Sequence, residues 1–344
     1  MPLLSASRQR PEAQVRSRST DSAAVTATGT TFWAAAVSGK SSNAASLAQA
    51  RISAPGGLLD DDGVSLEAYS LRDRIAEYGH LQARCVLVDE VQDCSTVELA
   101  VIGKIPSLVM DGLFLTGDPV QKVFPKQHDL VQADIDIVGR GTILRKNYRN
   151  SRQILEAAFK IINHFRGTAP LPEEEILSPD YAYRDGQRPV IYHCRSQQEQ
   201  RDVVTWYLGL LKLEEFDSTC IASPSSQVLD EFETTCISKG WPVFRITGES
   251  VREGLIGPGL KLSLLPDLKG FEFQKVFLVN VMDSQLLTNN IPWDERWRVA
   301  FQLYVAMTRA RDELIITYVL NPSVLLGPLE DSIDECIAGQ LLET

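Results

Sequence analysis

Along the chain, short apolar runs alternate with stretches in which apolar residues return every three or four positions, the pattern of strands interleaved with amphipathic helices. Cys85-Val86-Leu87-Val88 is apolar at every position, which predicts a parallel strand buried on both faces. Upstream, Leu66, Tyr69, Leu71 and Ile75 recur at helical spacing and predict one helix over residues 64–78. A helix over 96–102 and a second buried run, Leu113-Phe114-Leu115-Thr116, complete a β-α-β unit. The next helix starts near Ser151 and carries Ile154, Leu155, Ala158, Ile161 and Ile162 on one face. Strands are then predicted at 189–192, 219–222, 243–246, 276–279 and 314–317, with helices over 198–211 and 227–239 between them.

Such alternation implies parallel sheets, and the fold class expected is α/β with two parallel-sheet domains, the first incomplete. Residues 1–57 are Ser/Ala/Thr-rich with little periodicity and are expected to form a disordered leader. Residues 58–145 are expected to form the partial first domain, 146–330 the second, and 331–344 a C-terminal tail.

A length of 344 residues, 44% of them hydrophobic and 23% charged, is the balance of a globular protein able to bury a core. The formal net charge of -11 provides no global basic field, so any nucleic-acid strand would have to be met by a local positive groove. Six cysteines without CxxC spacing or a His partner point to reduced thiols rather than zinc. No apolar run reaches the roughly 18 residues of a membrane-spanning helix. The location expected is intracellular, cytoplasmic or nuclear; Arg8, Arg10, Arg16 and Arg18 give the leader a faint likeness to an organelle transit peptide.

The chemistry starts where the first strand ends. Nucleotide hydrolysis needs one acidic group to hold hydrated Mg²⁺ and another to orient or deprotonate water, and Asp89-Glu90 stands at a rigid strand end where both are served. An acidic pair there also suits a helix N-terminus or a solvated loop. The second strand repeats the layout with Thr116-Gly117-Asp118-Pro119-Val120-Gln121, whose amide can both donate and accept at a γ-phosphate.

In these residues the chain resembles the UvrD-like family of superfamily 1A DNA helicases, whose Walker B motif reads DExQD (here Asp89 to Asp93) and whose next motif reads GDxxQ (Gly117 to Gln121). Asn147-Tyr148-Arg149-Asn150 looks like the family's NYRS motif, Lys269-Gly270-Phe271-Glu272-Phe273 like its KGLEF motif, and Tyr304-Val305-Ala306-Met307-Thr308-Arg309-Ala310 like its YVAxTRA motif. The resemblance runs in order from Leu81 to Val319 and implies two RecA-like domains, ATP and Mg²⁺ as cofactors, and 3′ to 5′ movement on single-stranded DNA, with RNA not excluded. It makes Asp89 the Mg²⁺ ligand through water, Glu90 the catalytic base, Gln92 the link between hydrolysis and movement, and Gln121 the γ-phosphate sensor. It makes Tyr148 an adenine-stacking residue, Glu272 a ribose contact, Arg149 and Arg309 the arginines that neutralise the transferring phosphoryl group, and Phe124 the aromatic that stacks on the strand. Lys269 has the weaker case, since a solvated lysine beside a glycine turn reads the same way.

Departures from the pattern matter too. Pro125-Lys126-Gln127-His128 replaces the family's Arg-Gly-Ala strand contact, and Leu264 and Pro266 stand where the family has Thr and His. A phosphate loop needs GxxxxGK[ST], because only glycine lets backbone N–H groups wrap the phosphates. The one candidate, Ala34 to Ser41 with Gly39-Lys40, has alanine at the first glycine position. Little turnover is therefore expected of this chain alone, with a protein partner or an upstream segment supplying the loop. The alternative is a helicase-like module that binds a partner or nucleic acid without hydrolysis.

Overall fold

The computed structural model describes residues 25–28, 61–77, 82–107, 111–118, 129–144, 146–165, 182–248, 250, 256–287, 291–292 and 296–342. It is a mixed α/β chain with a three-stranded sheet, a seven-stranded sheet and a two-stranded ribbon, parallel throughout. The small sheet has the order β1 (Val25–Thr28), β2 (Val86–Asp89), β3 (Leu113–Leu115). β1 lies within the stretch read as a leader and was not signalled by the apolar pattern. Helix α1 (Asp61–Ser70) continues into a 3₁₀ turn over Arg72–Glu77, so the single helix expected over 64–78 is two pieces. Helix α2 (Thr96–Ile102) starts on a capping box in which Ser95 Oγ accepts from the Glu98 N–H and the Glu98 carboxylate accepts from the Ser95 N–H.

The sequence expectation that β2 is buried on both faces is corrected by the crossovers. Both steps, β1 to β2 and β2 to β3, move the same way across the sheet, and right-handed connections then put α1 and α2 on one face. Val86 and Val88 are buried on that side, among Leu99, Ala100 and Ile102 of α2. The register partners Leu87 and Phe114 point the other way and stay 38% and 58% exposed.

Strands β4 (Asn147–Ser151) and β5 (Ala182–Arg184) form the ribbon. The large sheet has the order β12 (Asp334–Ile337), β6 (Val190–Cys194), β11 (Ala310–Val319), β10 (Phe273–Leu278), β7 (Thr219–Ser223), β9 (Leu260–Leu264), β8 (Val243–Ile246). Here the crossovers run in both directions, so helices cover both faces. Helices α3 (Arg152–Phe165) and α7 (Trp297–Met307) pack one face, and α4 (Gln197–Leu210) and α5 (Ser226–Ser238) the other. A short α6 (Asp283–Leu286) follows β10, and α8 (Ala338–Leu342) closes the described chain. Residues 331–344, expected as a tail, supply the edge strand β12 and α8. The helix expected to start near Ser151 starts at Arg152, because Ser151 is the last residue of β4.

Candidate functional site at the junction of the two sheets

Asp89 and Glu90 leave the end of β2 in different ways. Asp89 is exposed, and its Oδ1 accepts from the Glu90 N–H and from the Thr116 hydroxyl at the end of β3, which fixes the carboxylate across two strand ends. Glu90 turns into the left-handed region at φ 53°, a strained position for a side-chain-bearing residue. Gln92 is buried and joins both strand ends: its Nε2 donates to Glu90 and its Oε1 accepts from the Asp118 N–H at 3.0 Å. Gly117 is required by that contact. A Cβ there would lie 2.4 Å from Gln92 Oε1 and 2.8 Å from Val91 Cγ1, closer than packed atoms approach.

The other half comes from loops of the large sheet. Between β9 and β10, Gly270 takes φ 83°, a left-handed turn that glycine adopts without strain, and the residue before it, Lys269, reaches the small sheet. Its Nζ lies 2.6 Å from Asp93 Oδ2 and 3.9 Å from Glu90 Oε2, with the two side chains of the closer pair 12% and 7% exposed. Lys269 is thus a largely buried bridge between the sheets, and the solvated-lysine reading is corrected.

Arg309 lies in the turn from α7 to β11. Its Nε donates to Val305 O, a carbonyl of the last helical turn, and its Nη1 to Phe271 O. These acceptors, with the negative end of the α7 dipole, hold a guanidinium that is almost fully buried. Burial first, then the neighbouring Arg149, lowers its pKa to about 10, while Glu90, Tyr304 and Asp118 act in the opposite direction. Glu90 and Asp118 thus act on Arg309 from the acidic end of the small sheet. Arg149, on β4, forms an ion pair with Glu272 at 2.9 Å, and Arg311 approaches Glu272 from the other side at 3.4 Å. Tyr148, beside it, is 62% exposed and its ring lies 5.2 Å from that of Tyr183.

One residue that sequence reasoning passed over is Asn150. It is buried and its Nδ2 donates to both Thr308 O and Ala310 O, clasping the backbone on either side of Arg309. The signal was present as a departure, since Asn150 stands where the family's motif has serine. Thus Asp89, Glu90, Gln92, Arg309 and Lys269 converge on the junction, with Arg149, Glu272 and Tyr148 grouped beside it. Gln121, Phe124, residues 125–128 and the Ala34 to Ser41 loop lie outside the described residues.

Among the described residues no cluster of three or more His, Cys, Asp or Glu is placed to hold a metal, and no helix is long and apolar enough to cross a membrane. The cysteines are free, and burial pushes the Cys194 and Cys236 thiols up to about 12, as inert core groups. No family model matches the chain, and no curated protein matches it. Among solved structures it is similar to the C-terminal domain of a possible DNA helicase from a Lactobacillus (strain WCFS1), at a TM-score of 0.40 and 20% identity, over 55% of this chain and 98% of that one.

Proposed function

We propose that this chain is a motor module of the UvrD-like helicase kind, whose junction between the two sheets takes ATP with Mg²⁺ and answers to single-stranded DNA. The observation that carries the reading is the opposition of charge: Lys269, on a loop of the large sheet, meets Glu90 and Asp93 of the small one, and Arg309 lies in the field of Glu90 and Asp118, with Arg149 on β4 acting on it as well. A phosphoryl group in flight carries charge on its equatorial oxygens, and planar, permanently charged guanidinium groups suit it. Mg²⁺ in nucleotide sites keeps most of its waters and takes only one or two carboxylates, so an exposed Asp89 fixed at a strand end fits it without a three-ligand cluster. When bound, the ion neutralises phosphate charge. Glu90 is the group to draw a proton from water, held in place by Gln92; Arg149 reaches phosphate by exchanging Glu272 for it.

A second reading, a helicase-like module that binds without turnover, is favoured by Ala34 at the first glycine of the loop. Calorimetric titration with Mg²⁺-ATP, paired with phosphate release, tests both. Saturable binding weakened about tenfold or more in Arg149→Ala, the worth of a charged hydrogen bond, is expected together with negligible turnover. Turnover that DNA stimulates and Lys40→Ala abolishes would make the chain a complete motor, and absence of nucleotide binding would refute the site. For the strand, anisotropy of a labelled oligonucleotide should fall steeply with salt, and Phe124→Ala should cost about 1–3 kcal/mol. RNA competes in the same assay.

A further inference from the structure

Tyr183 belongs to no motif, yet it is held in place with care. Its strand, β5, pairs in parallel with β4, so that Ala182 aligns with Asn147 and Arg184 with Ser151. Arg184 fastens the ribbon from beneath: its guanidinium donates to Arg149 O at 2.8 Å, to Arg311 O and to the Asp312 carboxylate. Gly186 lets the strands close, since a Cβ there would sit 2.5 Å from the Ser151 Cβ. Two independent fastenings thus fix β5 against the strand that carries Tyr148 and Arg149.

The consequence is an aromatic pair facing solvent. Tyr148 and Tyr183 are 62% and 73% exposed, with ring centroids 5.2 Å apart and planes tilted by 40°. Two tilted rings in contact form a continuous aromatic cradle, and a flat heterocycle that stacks on one ring meets the other at an angle. Stacking on a nucleobase is worth roughly five-fold or more in affinity per ring. The cradle adjoins the Arg149–Glu272–Arg311 cluster, where polyanionic phosphate finds guanidinium groups.

We infer that Tyr183 is a second base-stacking residue of the nucleotide site and sets its preference for purines, whose two rings span both tyrosines where a pyrimidine covers one. This rests on the nucleotide reading of the junction. The neighbouring phosphate-binding cluster favours a free nucleotide over a nucleic-acid base as the occupant.

The test uses the full chain and three probes: ATP, CTP and inorganic tripolyphosphate, each displacing fluorescent etheno-ATP. Tyr183→Ala should weaken ATP about five-fold or more, draw the ATP and CTP affinities together, and leave tripolyphosphate unchanged; Tyr183→Phe should restore ATP binding and the purine preference. A purely structural role for Tyr183 would weaken all three probes alike, which would overturn the inference. Unaltered ATP and CTP binding in Tyr183→Ala would overturn it too while leaving the nucleotide site standing, and so would a loss of oligonucleotide binding alone, which would make the pair a strand-stacking surface. If the unsubstituted chain bound neither etheno-ATP nor tripolyphosphate, the nucleotide reading itself would fall and the inference with it.

Discussion

Lys269→Met removes the cation that ties the two sheets together and keeps most of the side-chain volume. At 2.6 Å from Asp93, and with an effective dielectric of about 20, the Coulomb attraction is roughly 6 kcal/mol. Desolvation of both groups offsets much of that gain, but the cost has already been met in the folded protein. Taking away one partner leaves the other charge buried, which costs about 3–5 kcal/mol. Since the pair is 12% and 7% exposed, little screening by solvent discounts the figure, and the low end, about 3 kcal/mol, is expected. The loss should fall on the small sheet, whose α2 and β2 amides would exchange with deuterium on the order of a hundredfold faster, while β7 and β10 in the core of the large sheet keep their protection. Hydrogen exchange read by mass spectrometry over residues 86–103 measures it. The paired substitution Lys269→Met with Asp93→Leu should recover most of the protection, because two apolar groups bury no unpaired charge. If the single variant exchanges like the parent over those residues, the bridge does not hold the sheets together and the argument from burial is wrong.

Three other perturbations address the same region and the core. Gly117→Ala pushes Gln92 off its bonds to Glu90 and Asp118 and should cost about 1–3 kcal/mol in thermal unfolding; a variant as stable as the parent would show that Gln92 relaxes freely. Asn150→Ala deletes two donors to the carbonyls flanking Arg309 and should cost about 1–3 kcal/mol by urea titration, with Asn150→Asp no rescue, because a carboxylate cannot donate. Burial lowers the pKa of Lys261, so just below its ordinary value of 10.5 the unfolded chain binds more protons than the folded one. Stability relative to Lys261→Met should therefore rise with pH as that window is entered; a flat or falling difference in urea midpoint would contradict the burial argument.

What the sequence displayed and what it hid divide along physical lines. Helix α2 and strand β8 have the bounds that periodicity predicts, because each carries a full local signal: a capping box before one, β-branched and aromatic residues in the other. Strand β9 was passed over since Leu260-Lys261-Leu262-Ser263-Leu264 alternates like a half-exposed segment, yet it lies inside the sheet with both polar residues buried. Lys261 survives there because its Nζ finds Gly259 O and has Asp217 at 3.7 Å, partners that only the tertiary fold supplies. The acidic strand end and the arginines were legible from motif order, but the geometry that gives them neighbours was not. Asn150, Tyr183 and the Lys269 bridge each depend on a contact between distant segments, and no window of sequence contains both sides.

The junction pairs its cations with carboxylates, and this constrains how a nucleotide could enter on the proposed reading. Among the described residues, Lys269 has Asp93 and Glu90, and Arg149 has Glu272. An incoming polyanion must exchange one of these pairs for itself, and the exchange is cheapest where water already screens the ions. Arg149 and Glu272 are 42% and 46% exposed, so their pair is worth at most about 1 kcal/mol. The Lys269 bridge is buried, and breaking it uncovers charge. Arg309 cannot swing out without abandoning Val305 O and Phe271 O in the interior. Arg149 is therefore the arginine that can turn from Glu272 toward a phosphate, while Lys269 keeps the two sheets in the register that makes the turn useful.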